Sequence, residues 1–305
     1  MEQFVVTYIH KVWGSKEYFP GPQPVSIERQ HFPILKGGEY VVCEKTDGER
    51  HMLVAITYEG KKKTLLVNRS FKVTEIPLNL KKAAYEGTIL DGELYENVLM
   101  VYDAVRVCGE SVWNLDLHKR MDAAKAMMKG MICMKSDPYR LKCKKFHPMR
   151  EFKTFMNEYL PTVTQRMDGL VFTPVHEPIR IGTHETMFKW KPRDKNTVDF
   201  LVRWEPSRET PGYQKGEPTW RLYVQEKGKL FYESEIPHGR FEAKPWMADG
   251  AIVECEYVTW ESPMWWRPLK RRTDKTYPNN RRTFYRTIVN IKENIEMREF
   301  LDCRP

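Results

Sequence analysis

Five apolar runs between residues 39 and 107, each closed by a turn rich in glycine or charge, commit the N-terminal part of this chain to β-structure. They read "EYVVCEK", "RHMLVAITY", "KKTLLVNRS", "GTILDGELY" and "VLMVYDAVRV", the last apolar enough to be buried on both faces. "DGLVFTPV" and "TMFKWKP" return to strand further on. Between them lie two helical patterns, one over about residues 115 to 135 and one in "MREFKTFMNEYL", ended by Pro161. "FPGPQPVSIERQHFPIL" reads as proline-rich irregular chain and then a helix start capped at Ser26, with Glu28 and Arg29 in its first turn. The strands and helices do not alternate regularly, which excludes a doubly wound parallel sheet and predicts an α+β fold with mixed or antiparallel sheets.

The texture changes after "KPRDKNTVDFLVRW". "DFLVRW", "TWRLYVQ", "GKLFYES" and "AIVECEYVTW" are short strands separated by Gly/Pro turns, the pattern of a small all-β barrel. The expected domains are therefore 1–197 and 198–283, followed by a charged amphipathic helix over about 284–305 that packs back on the first domain. Trp260, Trp265 and Trp266 are read as core or rim of the barrel, with a stacking platform for RNA as the alternative.

A chain of 305 residues with 41% hydrophobic and 12% aromatic content has ample material for two packed cores. Its net charge of +9 favours polyanionic partners. The six cysteines are scattered, with neither a Cys-x-x-Cys pair nor zinc spacing, which predicts reduced thiols in a reducing compartment. "MEQFVVTYIHKVWG" lacks the plan of a signal peptide, and no apolar run is long enough to cross a bilayer, so a soluble intracellular protein is expected.

The first turn, Lys45-Thr46-Asp47-Gly48-Glu49-Arg50, raises the chemical question. A lysine attacks phosphorus only as the neutral amine, although its ordinary pKa is about 10.4. A site for such a reaction also needs cations against the departing phosphates, carboxylates for a divalent ion and an aromatic platform for a base. The sequence supplies these in order: Lys45 and Arg50, then Arg69, Glu93 in "LDGEL", Tyr102 and Asp103 in "MVYDAV", and Asp168 in "MDGLVF". Lys189 and Lys191 follow in "FKWKP", two apart and so expected on one side of a strand, and "RRTDKTYPN" carries Arg272, Asp274 and Lys275. Singly, "DGEL" and "DGLVF" are ordinary turns. Their joint order carries the signal.

This series, KTDGER, VNRS, LDGEL, VYDAV, MDGLVF, FKWKP and RRTDK, resembles the ordered motifs of the covalent nucleotidyltransferases, the superfamily of mRNA capping guanylyltransferases and polynucleotide ligases. The KTDG form, "FKWKPRDKNTVDF" and the Arg-x-Asp-Lys-x-x-Pro-Asn series ending at Asn279 are similar to the capping enzymes. "FPGPQPVSIER" is similar to the compact guanylyltransferases of large DNA viruses, and the likeness runs from about residue 19 to 301.

The resemblance implies a ligase-like nucleotidyltransferase domain joined to an OB-fold barrel that opens and closes on it. It implies transfer of GMP from GTP, through a lysine–GMP intermediate, to the 5′-diphosphate end of RNA. Lys45 would then be the nucleophile, and Lys189 and Lys191 would clamp the α-phosphate. Thr46, Arg50 and Arg69 would contact the nucleotide, with Tyr102 in place of the usual phenylalanine stacking on guanine and Lys144 reading its oxygen. Glu93 would hold the ribose or support a magnesium or manganese ion, of which Asp168 is the main ligand. Arg272, Asp274 and Lys275 would serve the β- and γ-phosphates. RNA triphosphatase and cap methyltransferase activities would belong to other polypeptides or to a longer chain. The competing readings are an ATP-dependent polynucleotide ligase using the same lysine and a catalytically idle RNA-binding relative. The sequence leans against both, through the RTDK series and the intact set of charged positions.

Overall fold

The computed structural model describes residues 1–15, 18–208 and 214–305. Its backbone separates into two compact units, Met1–Trp190 with Met297–Pro305, and Lys191–Glu296. In the first unit the strands are β1 (Gln23–Ser26), β2 (Tyr40–Thr46), β3 (Glu49–Tyr58), β4 (Lys61–Asn68), β5 (Val73–Glu75) and β6 (Thr88–Tyr95). They continue as β7 (Val98–Val107), β8 (Glu110–Ser111), β9 (Arg140–Cys143), β10 (His147–Pro148), β11 (Met167–Pro174) and β12 (Thr183–Trp190). One sheet runs β1-β12-β11-β2-β10 and the other β5-β4-β3-β6-β7-β8, with β9 parallel to β7. β1 is parallel to β12 while the other strand pairs of that sheet are antiparallel, so the first sheet is mixed as expected.

Strand alternation gives β2 its two jobs. Val41, Cys43 and Lys45 share one face, and Val41 packs there with Leu53, Leu90 and Val101 of the second sheet. Val42, Glu44 and Thr46 share the other with their cross-strand partners Phe172 and Leu170. That face is covered by Phe300, which meets Phe172 at 4.8 Å and also Phe32, Phe152 and Trp190.

Several elements differ from the sequence expectation. Ser26 ends a strand; the helical turn begins at Arg29, capped by Glu28, whose N–H donates to His31 Nδ1 at 2.9 Å. It runs into α2 (Phe32–Gly37). An unforeseen helix, α1 (Glu2–Trp13), buries Val5, Ile9 and Trp13, spaced four apart, against Met52, Val54 and Val105. The helix α3 (Leu117–Met128), capped by Asp116, stops before 135 because Lys129 is extended and Gly130 takes φ +85°. From Met149 to Thr162 the helical stretch is irregular: its α-helical turn, α4 (Phe152–Thr154), is flanked by 3-10 and π turns. Pro161 sits inside the closing turn, where it forfeits no needed donor.

In the second unit β13 (Thr197–Pro206), β14 (Pro218–Glu226), β15 (Lys229–Glu235), β16 (Ile252–Val258) and β17 (Trp265–Arg271) form an antiparallel sheet ordered β15-β14-β13-β16-β17. This three-strand meander with a strand pair added at its first strand is the OB-type arrangement expected. The closing segment is two elements, not one helix. The helix α5 (Arg281–Glu293) packs Phe284 and Ile291 against Phe200 and Trp266 of its own barrel, and ends where Asn294 turns left-handed. Met297–Cys303 is a separate 3-10 segment in the first unit. Among the described residues no helix is long and apolar enough to cross a membrane.

Because Phe300 is fully buried among four aromatic rings, Phe300→Ala should destabilise the first unit by about 3–5 kcal/mol. Urea unfolding followed by circular dichroism measures this. A loss below about 1 kcal/mol would show that the segment merely rests on the sheet.

Candidate active site

β2 ends with Lys45 and Thr46, and Gly48 turns the chain into β3. A Cβ on Gly48 would lie 2.2 Å from the carbonyl oxygen of Leu94, so only glycine lets β6 come this close. The Glu93 side chain lies against Gly48, within electrostatic reach of Lys45. Burial pushes the Glu93 carboxyl up, while Lys45 and Arg50 pull it down and Asp168 adds to the rise. Asp168 stands in an irregularity of β11, between Met167 and Gly169, and its Oδ1 lies 3.3 Å from Lys45 Nζ. The structure thus brings together Lys45, Glu93 and Asp168, a lysine facing two carboxylates. Cys43, two residues back on the same face, is no rival nucleophile, since burial pushes its thiol up to about 12.

Arg50 is nearly buried and forks onto Asp91 at 2.6 and 3.1 Å, with a third bond to the Pro22 carbonyl at 2.8 Å. Its guanidinium lies 5.3 Å from the Phe19 ring centre and 5.8 Å from that of Tyr102. The Tyr102 hydroxyl donates to Asp91 at 3.1 Å, and burial keeps the phenol protonated. With its amide oxygen turned toward the cations, Gln23 accepts from Arg50 and Arg69 at 3.2 Å each. The proline-rich segment therefore wraps the motif arginine, and Asp91, unassigned in the sequence, anchors it. Its "LDGEL" position was the available signal. The neighbouring motif carboxylate Asp103 turns elsewhere: it forks onto the buried Arg120 at 2.8 and 3.2 Å and pins α3.

Lys189 pairs with Val171, which pairs with Cys43, so Lys189 shares the Lys45 face of the sheet. The strand ends at Trp190, and alternation does not carry over to Lys191, which belongs to the second unit. Lys144 reaches the two residues that flank Lys45. Its amine donates to the Glu44 carbonyl at 2.9 Å, to Glu44 Oε1 at 3.1 Å and to Thr46 Oγ1, two side chains on the opposite face of β2.

In the second unit, Arg272 forks onto Asp274 at 2.9 Å twice and onto Asp199 at 3.1 and 3.2 Å, while Lys275 donates to Asp199. Asn279, the last residue of the RTDK series, closes the arrangement with two 2.8 Å bonds to the Asp199 backbone. Burial alone would raise Asp199, but Lys275 and Arg272 hold it below the ordinary range. Asp199 is the hub that sequence reasoning missed, although "NTVDF" lay inside a quoted motif.

Among the described residues no three or more His, Cys, Asp or Glu side chains gather as a metal cage. The Glu93 and Asp168 carboxylates nevertheless fit a hard divalent ion, which takes one or two such oxygens when substrate phosphates supply others.

Two family models account for almost the whole chain. Residues 2–193 match the catalytic domain of mRNA capping enzymes, and residues 195–301 match their C-terminal domain. The alpha subunit of the mRNA-capping enzyme of Schizosaccharomyces pombe is 28% identical, over 98% of this chain and 83% of its own length. That of Neurospora crassa is 26% identical, over 93% and 84%. The mouse mRNA-capping enzyme is 25% identical over 86% of this chain, which spans 45% of that longer protein.

Asp199 and Asp274 are both held below the ordinary aspartate value. Their stabilisation is therefore complete above about pH 4 and is lost as pH falls through the lowered folded values. Asp199→Asn should lower the urea midpoint of the second unit at neutral pH and flatten its decline in acid. An unchanged acid limb would contradict the role given to Asp199.

Proposed function

The chain belongs to the mRNA capping enzyme family, as an mRNA guanylyltransferase, and from that premise we propose how its own residues perform the transfer. Lys45 is the nucleophile. Its amine attacks the α-phosphorus of GTP, forming an N–P bond as the bond to the β-phosphate oxygen breaks and pyrophosphate departs; the amine proton is shed. A terminal oxygen of 5′-diphosphate RNA then attacks the same phosphorus. The N–P bond breaks, the lysine regains a proton, and the GpppN cap leaves.

The observation that supports this reading is the lysine facing two carboxylates, at the end of β2 and beside the Gly48 turn. Asp168 and Glu93 would hold the divalent ion, magnesium or manganese, whose charge when bound offsets the negative charge growing on the α-phosphate. Lys189, on the Lys45 face of the sheet, and Lys191 supply fixed cations for the same phosphate. Tyr102 offers a ring to guanine while its hydroxyl stays tied to Asp91. Arg50 and Arg69, oriented by Gln23 and Asp91, address ribose or phosphates. Thr46 and Lys144, hydrogen-bonded to each other, complete the nucleotide set, with Lys144 as the reader of the guanine oxygen. Arg272 and Lys275, braced by Asp199 and Asp274, serve the β- and γ-phosphates.

The RNA triphosphatase and methyltransferase steps fall to other active sites, and the setting is intracellular, in keeping with six free thiols. The affinity with compact viral enzymes rests on the Phe19–Arg29 segment, since the relatives named above are fungal and animal.

Lys45→Ala should abolish covalent labelling by α-labelled GTP, read on a denaturing gel, while the protein stays folded. Labelling retained on another residue, or a stable adduct with ATP and none with GTP, would overturn the reading. Arg272→Ala and Lys275→Ala should each block formation of the lysine–GMP adduct yet spare transfer from preformed adduct to RNA, because those side chains are needed only while pyrophosphate is present. Loss of both half-reactions would contradict that division.

A further inference from the structure

The three tryptophans of the β16–β17 region part company. Trp265 and Trp266 are buried, each among apolar neighbours of the barrel. Trp260 is 65% exposed, and Met264, across the same loop, is 56% exposed. An indole left so open gives up the stabilisation that burying it would bring, which asks for another explanation.

The loop that carries it is held rather than loose. Arg193 donates to Thr259 Oγ1 at 3.3 Å, just before Trp260. Arg240 donates to Glu261 Oε2 at 3.0 Å and to the Ser262 carbonyl at 2.7 Å, just after it. The Trp265 indole N–H adds a 2.8 Å bond to the same Glu261 oxygen. The Arg267 guanidinium lies 5.6 Å from the centre of the Trp260 ring and is itself anchored on Glu256. One contact of the ring is thus a cation, and much of its surface is open to solvent. Beyond Arg267, Lys270 and Arg271 project exposed from β17, the strand that leads to Arg272 of the RTDK series.

A flat ring fixed in place, backed by a guanidinium and followed by further cations, has the features that hold single-stranded nucleic acid. A base stacks on the open part of the ring, and the cations receive the adjoining phosphates. Fixing the loop beforehand removes an ordering cost from binding. We propose that Trp260, backed by Arg267, is a stacking platform for the single-stranded RNA acceptor. The inference rests on the chain's function as an RNA guanylyltransferase and extends it to the way the acceptor strand is gripped.

The test uses the full chain and a fluorescent 5′-diphosphate oligoribonucleotide of about twelve residues, long enough to cross a single-strand site. Trp260→Ala should weaken its binding, read by anisotropy, by about tenfold, in the range of one lost stacking contact. Trp260→Phe should recover part of the affinity, and both variants should form the covalent GMP adduct at the wild-type rate. Wild-type affinity in a Trp260→Ala protein that still forms the adduct would overturn the proposal. So would a change in self-association, read by sedimentation, with RNA binding untouched, since that would assign the patch to protein contact. Failure of the wild-type chain to form any GMP adduct would strike the catalytic reading instead, and the anisotropy comparison would still decide the role of Trp260.

Discussion

An alanine at position 48 would place its Cβ 2.2 Å from the carbonyl oxygen of Leu94, a separation the backbone cannot tolerate without moving β6. That close approach is the constraint on which the catalytic arrangement depends. It lets Glu93 lie against the Gly48 turn, within electrostatic reach of Lys45, while Lys45 faces Asp168 from the neighbouring strand. The lysine is aimed by backbone geometry at the end of a strand whose other face is packed under Phe300. A side chain on a buried strand is a steadier support for an in-line reaction than one on a loose loop.

The cations of the motifs are mostly committed to carboxylates in this structure. Arg50 is forked onto Asp91, Lys144 is paired with Glu44, and Arg272 is paired with both Asp199 and Asp274. Breaking such a buried pair by deleting one partner leaves an uncompensated charge and costs about 3–5 kcal/mol. Loss of activity in a variant at Asp91, Asp199 or Glu44 therefore reports misplacement of a cation as much as loss of a contact to substrate. The same reasoning separates Asp103 from its motif neighbour Tyr102. One pins Arg120 and the α3 helix, and the other faces Arg50 and Asp91.

The strands around the KTDG turn, the change to an all-β unit and the order of the charged motifs were legible because strand alternation and turn chemistry are local. The α1 helix was also written locally, in Val5, Ile9 and Trp13, but it lies outside the motif series. What the sequence could not convey is which charges meet. Asp91 and Asp199 lie 41 and 73 residues from the arginines they hold, and nothing in local pattern announces pairs so distant. Strand alternation places Lys189 but does not extend to Lys191, because the strand ends at Trp190, a boundary set by tertiary pairing with β11. The final helix was overrun in the same way, since Asn294 in a left-handed conformation divides it in two.

The central claim is that Lys45 becomes covalently joined to guanylate. Incubating the intact protein with GTP and a divalent ion, digesting it under conditions that preserve phosphoramidates and mapping the peptides by mass spectrometry tests this most directly. The account predicts one added guanylate on the peptide spanning residues 41–50, fragmenting to a modified Lys45. An unmodified Lys45 peptide, with guanylate found on any other residue, would contradict it.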